Sequence, residues 1–467
     1  MTETQAPRGA TAIDTAAMGD LKAGLRGTLI QPGEADYDTA RAVYNAMIDR
    51  RPAAIARCVD VADVITAVNF ARDHDLLLAI RSGGHNGGGL GVCDDGLVID
   101  LSPMKGTRVD PEARTVRVEG GCTWGDVDHA THAFGMATPS GIISTTGVGG
   151  LTLGGGIGHL SRACGLSIDN LLSVDMVLAD GTFVTASEDE NQDLFWAVRG
   201  GGGNFGVITS FLFKLHPIDM VYGGPMLWDL EQAPEVLRWY RGFIRDAPNT
   251  INGWFAFLRV PPGAPFPEHL HNKVVCGIVW CYTGPQDKVE EAFAPVRSLP
   301  APAFELTGFL PHPALQSMFD AVYPPGLQWY WRADFVDELS DEAIALHVQH
   351  GATLPSISTM HLYPINGAVH DVDPHDTAFS YRSSTWAEVI VGVDPDPSSA
   401  ELLKNWTVSY WEALHPYSAG GAYVNFMMDE GQERVQATYR DNYGRLVEIK
   451  NKYDPNNLFR VNQNIRP

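Results

Sequence analysis

The residues with the clearest chemical potential form the loop RSGGHN, residues 81–86, directly after the apolar run LLLAI. Two glycines precede His85, and Gly87, Gly88 and Gly89 follow within four residues. Backbone amides in such a loop are free to form a nest around phosphate oxygens. An imidazole with an ordinary pKa near 6.5 is largely neutral and nucleophilic at physiological pH. A loop histidine also serves as a plain turn residue, so other motifs must decide. One GxGxxG occurs, at Gly201, Gly203 and Gly206, but it follows the helix-like DLFWAVR and runs into a strand. A dinucleotide fingerprint needs strand before helix, so that a helix N-terminus meets the pyrophosphate. The chain also has no Walker-type lysine after a glycine-rich loop.

The elements that must position this loop divide by composition. Of 48 glycines, 27 lie between Arg81 and Gly206, whereas nine of the eleven tryptophans lie after residue 216. Glycine weakens regular elements by about 0.5–1 kcal/mol, so its concentration marks a place where backbone approaches a ligand closely. His216 and Pro217 close the first half after the strand-like VITSFLFKL, because proline cannot extend a central strand. Within that half, IARCVDVADVITAVNFARDHDLLLAIRSGG reads as strand, helix and strand, with Asp60 or Asp63 as the helix cap. The Asp180, Gly181 pair inside SVDMVLADGTFVTAS signals a hairpin. Residues 217–414 alternate strands such as WFAFLRV, VVCGIVW, STMHLY and TWAEVIVGV with helices such as LSDEAIALHVQHGA, which predicts an antiparallel sheet covered by helices. A third segment, 415–467, contains YVNFMM, a helix through RLVEIKNKY and the tail DPNNLFRVNQNIRP. The predicted class is α+β: residues 1–216 as a two-part domain, 217–414 as a substrate domain, and 415–467 returning to the first.

Charge narrows the partners. With 33 Lys plus Arg against 56 Asp plus Glu, the formal net charge of −23 gives no basic field for nucleic acid or anionic membrane. No apolar run reaches the roughly 20 residues of a membrane span. Six dispersed cysteines lack metal-site spacing, so no metal is expected. The opening MTETQAPRGATAIDTAAMGDL lacks the basic and apolar regions of a secretory signal, making cytoplasmic the expectation. The expected partner is a small organic molecule, with the chain a monomer or homodimer.

Three further stretches accompany RSGGHN: GIISTTGVGGLTLGGGIGHLSRACGLSIDNL (141–171), DLFWAVRGGGGNFGVI (193–208) and DPNNLFRVNQNI (454–465). In this order they resemble the FAD-binding half of the vanillyl-alcohol oxidase and para-cresol methylhydroxylase superfamily. The tail is similar to its berberine-bridge-enzyme-like branch. The resemblance implies FAD held covalently through His85, by a bond from imidazole to the methyl group on the flavin's benzenoid ring, and hence a more oxidising flavin. It further implies that Gly83, Gly84, Asn86 and Gly87, with Arg81 and Ser82, wrap the pyrophosphate. Ser144, Thr145, Gly149 and Gly150 would approach the ring system or phosphates. Gly141, Thr146, Gly155, Gly206, Val207, Tyr423, Asn425, Asn462 and Gln463 would complete the cofactor's surroundings.

Departures from the family pattern bear on chemistry. Doubly tethered members carry a cysteine where this chain has Ile143, so a single tether is expected. The position that gates oxygen is Thr146, whose small side chain favours oxidase over dehydrogenase behaviour. Cys164 falls where relatives often place a pocket aromatic, making it a candidate for substrate contact or a buried thiol. In YVNF, Phe426 replaces a tyrosine that relatives use as base, leaving Tyr423 and Asn425 as hydrogen-bonding candidates. His361 and Tyr363, on one face of STMHLYPINGAV by strand alternation, are the leading acid or base candidates, with Glu388 in STWAEVIVG behind them. A histidine base would titrate near 6.5. The implied activity is hydride transfer from an alcohol, sugar or secondary metabolite to FAD, with reoxidation by O2 and release of H2O2. An oxygenase or cyclase tailoring a polyketide or alkaloid, and a flavin-binding protein without turnover, are the rivals.

Overall fold

The computed structural model describes residues 14–467. The stretch inspected for a secretory signal lies largely outside them. Three sheets organise the chain. In the first, Ala54–Arg57 and Leu78–Arg81 flank Leu97–Asp100 in parallel, and Thr28–Ile30 adds an antiparallel edge. The crossover helix Val61–Asp73 buries Val64, Ala67, Val68 and Ala71 as one stripe against this sheet. Of the two candidate caps, Asp60 serves, accepting the Asp63 N–H at 3.1 Å. The Asp63 carboxylate instead takes the amides of Arg26, Gly27 and Val59 at 2.7–3.0 Å.

The second sheet is antiparallel, in the order Thr107–Asp110, Thr115–Glu119, Val207–Lys214, Leu171–Val177, Phe183–Ser187. Its last hairpin turns through Asp180 and Gly181, whose φ of +84° suits glycine. After Lys214 the chain passes His216 and Pro217 and enters the third sheet at Met220–Asp229. This eight-stranded sheet is antiparallel throughout, and Ile251–Arg259, Thr359–Pro364 and Trp386–Asp394 are consecutive neighbours at its centre.

Helices Ala233–Asp246, Asp341–Gly351 and Ala400–Leu414 cover one face, where Phe255, Phe257, Leu362 and Ile390 pack against Tyr240, Ile344 and Tyr410. Alternation sends Trp254, Tyr363, Val389 and Val391 to the opposite face, toward the glycine-rich half. The C-terminal segment also packs there. The fully buried Lys450 ammonium donates to the carbonyls of Asn204 and Phe459 at 2.8 and 2.9 Å and to Asp454 at 2.7 Å, fixing the GGGGN loop. Pairing of this kind is what makes a buried cation tolerable. Among the described residues, no helix is long and apolar enough to cross a membrane, and no His, Cys, Asp and Glu cluster is arranged for a metal.

Candidate active site

Between the glycine-rich half and the free face of the third sheet lies a cavity of about 340 Å³, within the usual range for ligand pockets. One wall is backbone. The amides of Gly83, Gly84, His85 and Asn86 make no hydrogen bond within the protein, leaving four donors for a ligand. Gly83 and Gly147 press together so closely that a Cβ on Gly83 would sit 2.4 Å from the Gly147 nitrogen. Gly150 and Gly203 line the cavity, and a Cβ on either would meet no atom within 4 Å, so their backbone faces open volume. Arg81 is the one cation on the lining, and its guanidinium is committed to Asp100 at 2.8 Å. Ser82 Oγ and Asn462 Oδ1, both on lining residues, are buried without partners. Unclaimed amides, an open glycine wall and orphaned polar atoms fit the pyrophosphate and polar edges of a flavin dinucleotide.

His85 projects from this wall. Its ring stacks on Tyr44 with centroids 4.0 Å apart, Nε2 lies 3.1 Å from Thr145 Oγ1, and Nδ1 lies 3.5 Å from Thr146 Oγ1. Its partial exposure is to the cavity interior, and enclosure by protein pushes the imidazole down to about 4. The ring therefore stays neutral and nucleophilic. A segment of the sheet half braces both partners. Asp320 takes the Ser144 N–H at 3.0 Å and clasps the Ser144 hydroxyl, while Tyr44 Oη donates to the Tyr323 carbonyl at 2.5 Å.

The opposite wall is made of side chains. Strand Thr359–Pro364 turns Thr359, His361 and Tyr363 into the cavity. His361 Nδ1 is 2.5 Å from Tyr363 Oη, and Nε2 is 2.8 Å from Thr359 Oγ1. Trp254 packs on the imidazole at 4.8 Å, and Phe426 lies 5.7 Å from the Tyr363 ring. Burial drives His361 down to about 3 and lifts the Tyr363 phenol far above its ordinary range. An imidazole titrating near 6.5 is thus corrected: the ring is too enclosed to carry charge at that pH. Phe319, Tyr323, Trp329 and Trp331 complete an aromatic surround.

Several expected residues lie elsewhere. Glu388 is opposite Leu362 and Asp334 in the sheet register, which places it on the helix-covered face, 3.9 Å from His347 Nε2. Burial raises its carboxyl well above the ordinary value, but it is not a candidate base for this cavity. Cys164 is also off the lining, with its carbonyl taken by Asn170, so substrate contact is not supported. Ser144 is spent on Asp320, and the exposed Thr145 touches His85 from outside the cavity. Val207 is buried in the core beneath the first sheet. Gly87, Gly141 and Gly155 leave room for Trp331, Leu151 and Phe379. Gly149 and Gly206 do line the cavity.

The Tyr423 hydroxyl is held by the Gly156 N–H at 2.8 Å and by Asn425 Nδ2 at 2.7 Å, and Asn425 also donates to the Leu151 carbonyl. These two residues fix the glycine helix, and both line the cavity. Gln463 lines the cavity and ties the carbonyls of Met427 and Met428. Sequence reasoning missed Tyr44, Thr359 and Asp320. Thr359 was detectable, standing two residues before His361 on one strand face; Tyr44 and Asp320 carry no local signal.

Comparison with known proteins identifies the family. Residues 52–187 match the family described as FAD binding domain, and residues 422–466 match berberine and berberine like. An FAD-linked oxidoreductase of Dictyostelium discoideum is 33% identical over 452 residues, covering 95% of each chain. (R)-6-hydroxynicotine oxidase of Paenarthrobacter nicotinovorans is 27% identical over 95% of this chain and 97% of that one. The solved structure of wild-type BBE-like 1 from Physcomitrella patens superposes with a TM-score of 0.85 at 25% identity, covering 97% and 99% of the two chains. Two matched regions bracketing one glycine-walled cavity, with similarity running nearly end to end, place this chain among the berberine-bridge-enzyme-like FAD-linked oxidoreductases of the vanillyl-alcohol oxidase and para-cresol methylhydroxylase superfamily.

Proposed function

We propose that this FAD-linked oxidase oxidises an uncharged, ring-bearing alcohol or amine, using FAD tethered through His85 alone and O2 as the electron acceptor. The observation that carries this reading is that one cavity joins the His85 cradle to a paired tyrosine and histidine. FAD, when bound, accepts a hydride equivalent and passes its electrons to dioxygen, which leaves as hydrogen peroxide. The free amides of residues 83–86 hold the pyrophosphate, while the neutral His85 ring supplies the nitrogen that bonds the benzenoid methyl group. Ile143 and the other lining residues offer no thiol for a second bond. Thr146, beside His85, leaves space through which dioxygen reaches the cofactor.

Trp254, Phe319, Tyr323 and Phe426 give a flat substrate large contact area with few rotors. Among the described residues, no carboxylate lines the cavity and its one cation is already paired, which favours an uncharged substrate. Tyr363 and His361 receive the O–H or N–H proton as the substrate is oxidised. Anaerobic mixing with a panel of ring-bearing alcohols and amines should bleach the flavin, and readmitted oxygen should yield one peroxide per turnover. An oxygen atom from O2 incorporated into product, with no peroxide, would overturn the oxidase reading in favour of an oxygenase.

A further inference from the structure

Thr359 stands two residues before His361 on the same strand face, and both side chains reach the cavity. Its hydroxyl has a single hydrogen, which is donated to the Phe257 carbonyl of the neighbouring strand at 2.8 Å. Toward His361 Nε2, also 2.8 Å away, the same oxygen can then only accept. Nε2 therefore carries the ring hydrogen, Nδ1 is bare, and Tyr363 donates its hydrogen to Nδ1 across 2.5 Å. The reverse arrangement turns the threonine hydrogen toward Nε2. It strips this bond from the Phe257 carbonyl and leaves the Tyr363 hydrogen unclaimed, so it satisfies fewer buried groups.

We infer that Thr359 is a positioning residue that fixes the His361 tautomer, so that the Tyr363 oxygen, and not an imidazole nitrogen, is the atom that meets the substrate proton. This rests on the reading that Tyr363 and His361 receive that proton. As the substrate O–H or N–H bond breaks, a new O–H bond forms at Tyr363, whose original hydrogen moves to His361 Nδ1. The electron pair of the broken O–H or N–H bond becomes the new C=O or C=N bond, and the neighbouring C–H bond breaks with its pair, leaving as hydride to FAD. The relay goes no further than the imidazole, because Nε2–H points to a threonine oxygen whose own hydrogen rests on a carbonyl that takes no proton, and the enclosed ring holds the transferred proton only within the step. The sequence ends at His361.

The test is ¹⁵N NMR of histidine side chains in the full-length, FAD-loaded protein, with the His361 signals assigned by their loss in His361→Asn. The wild type should show a protonated Nε2 and a bare Nδ1; a protonated Nδ1 there overturns the inference without any variant. In Thr359→Val, nearly the same shape without the acceptor, the His361 signals should move toward the other tautomer, and Thr359→Ser should restore the wild-type pattern. A wild-type pattern in Thr359→Val overturns the positioning role. Anaerobic flavin reduction should slow at least about tenfold in Thr359→Val and stay within about twofold in Thr359→Ser, given the roughly 10²–10⁴-fold worth of a positioned base. If the tautomer moves but reduction does not slow, Thr359 is confirmed as the anchor, and it is the proton-acceptor role of the pair that falls.

Discussion

The two walls of the cavity recognise by different means. The wall around His85 works with main chain: side chains have been removed at Gly83, Gly84, Gly150 and Gly203, and amides and shape remain. The sheet wall works with side chains: Thr359, His361 and Tyr363 alternate with the core residues Met360 and Leu362 on one strand. An unvarying cofactor suits a backbone mould, because main-chain donors persist through every substitution except proline. A variable substrate suits a strand face, where every second position changes without touching the layer beneath.

The largest expected effect tests the backbone wall. Gly150→Leu meets no protein atom near its Cβ and should leave melting temperature nearly unchanged while abolishing most FAD binding, measured by flavin absorbance per chain. Full FAD occupancy in this variant would mean that the glycine wall is not the cofactor's. On the other wall, Tyr363→Phe keeps the ring but removes the hydroxyl, and flavin reduction should fall by roughly two orders of magnitude at normal FAD content. A fall in FAD content instead would erase the distinction between the walls.

Thr146→Leu, at the seam beside His85, should slow reoxidation by O2 about tenfold, equivalent to ~1.4 kcal/mol of barrier, and spare reduction in stopped-flow traces. The smallest effect is a flat profile. His361 is pushed down to about 3, so its competent neutral form is already complete at pH 5, and the reduction rate should not change between pH 5 and 8. Loss sets in only as pH falls toward 3, where the ring gains its proton; an inflection near 6.5 would show a solvated histidine.

Legibility in the sequence followed the range of the interaction. His85 was visible because its glycines are adjacent, and His361 with Tyr363 because alternation within one strand reveals a shared face. Glu388 misled because its face depends on register against Leu362 and Asp334, which the strand alone does not contain. Ser144 misled for a similar reason, since the carboxylate that claims it is 176 residues away. The depressed basicity of His361 comes from burial, with Trp254 packed on its ring, a property of packing and not of the motif.

The clasp between Asp320 and Ser144, together with the Tyr44 hydroxyl on the Tyr323 carbonyl, bears on how this scaffold can be recombined. Compositional halves invite exchange: one parent's cofactor portion joined to another's sheet. Here the imidazole is steadied from outside its own half, through Tyr44 on its face and the loop after Ser144 at its edge. A chimera that transplants residues 81–206 without Tyr44 and residues 320–327 inherits the histidine but not its vice. Crossovers that respect those buttresses are the ones that preserve tethering.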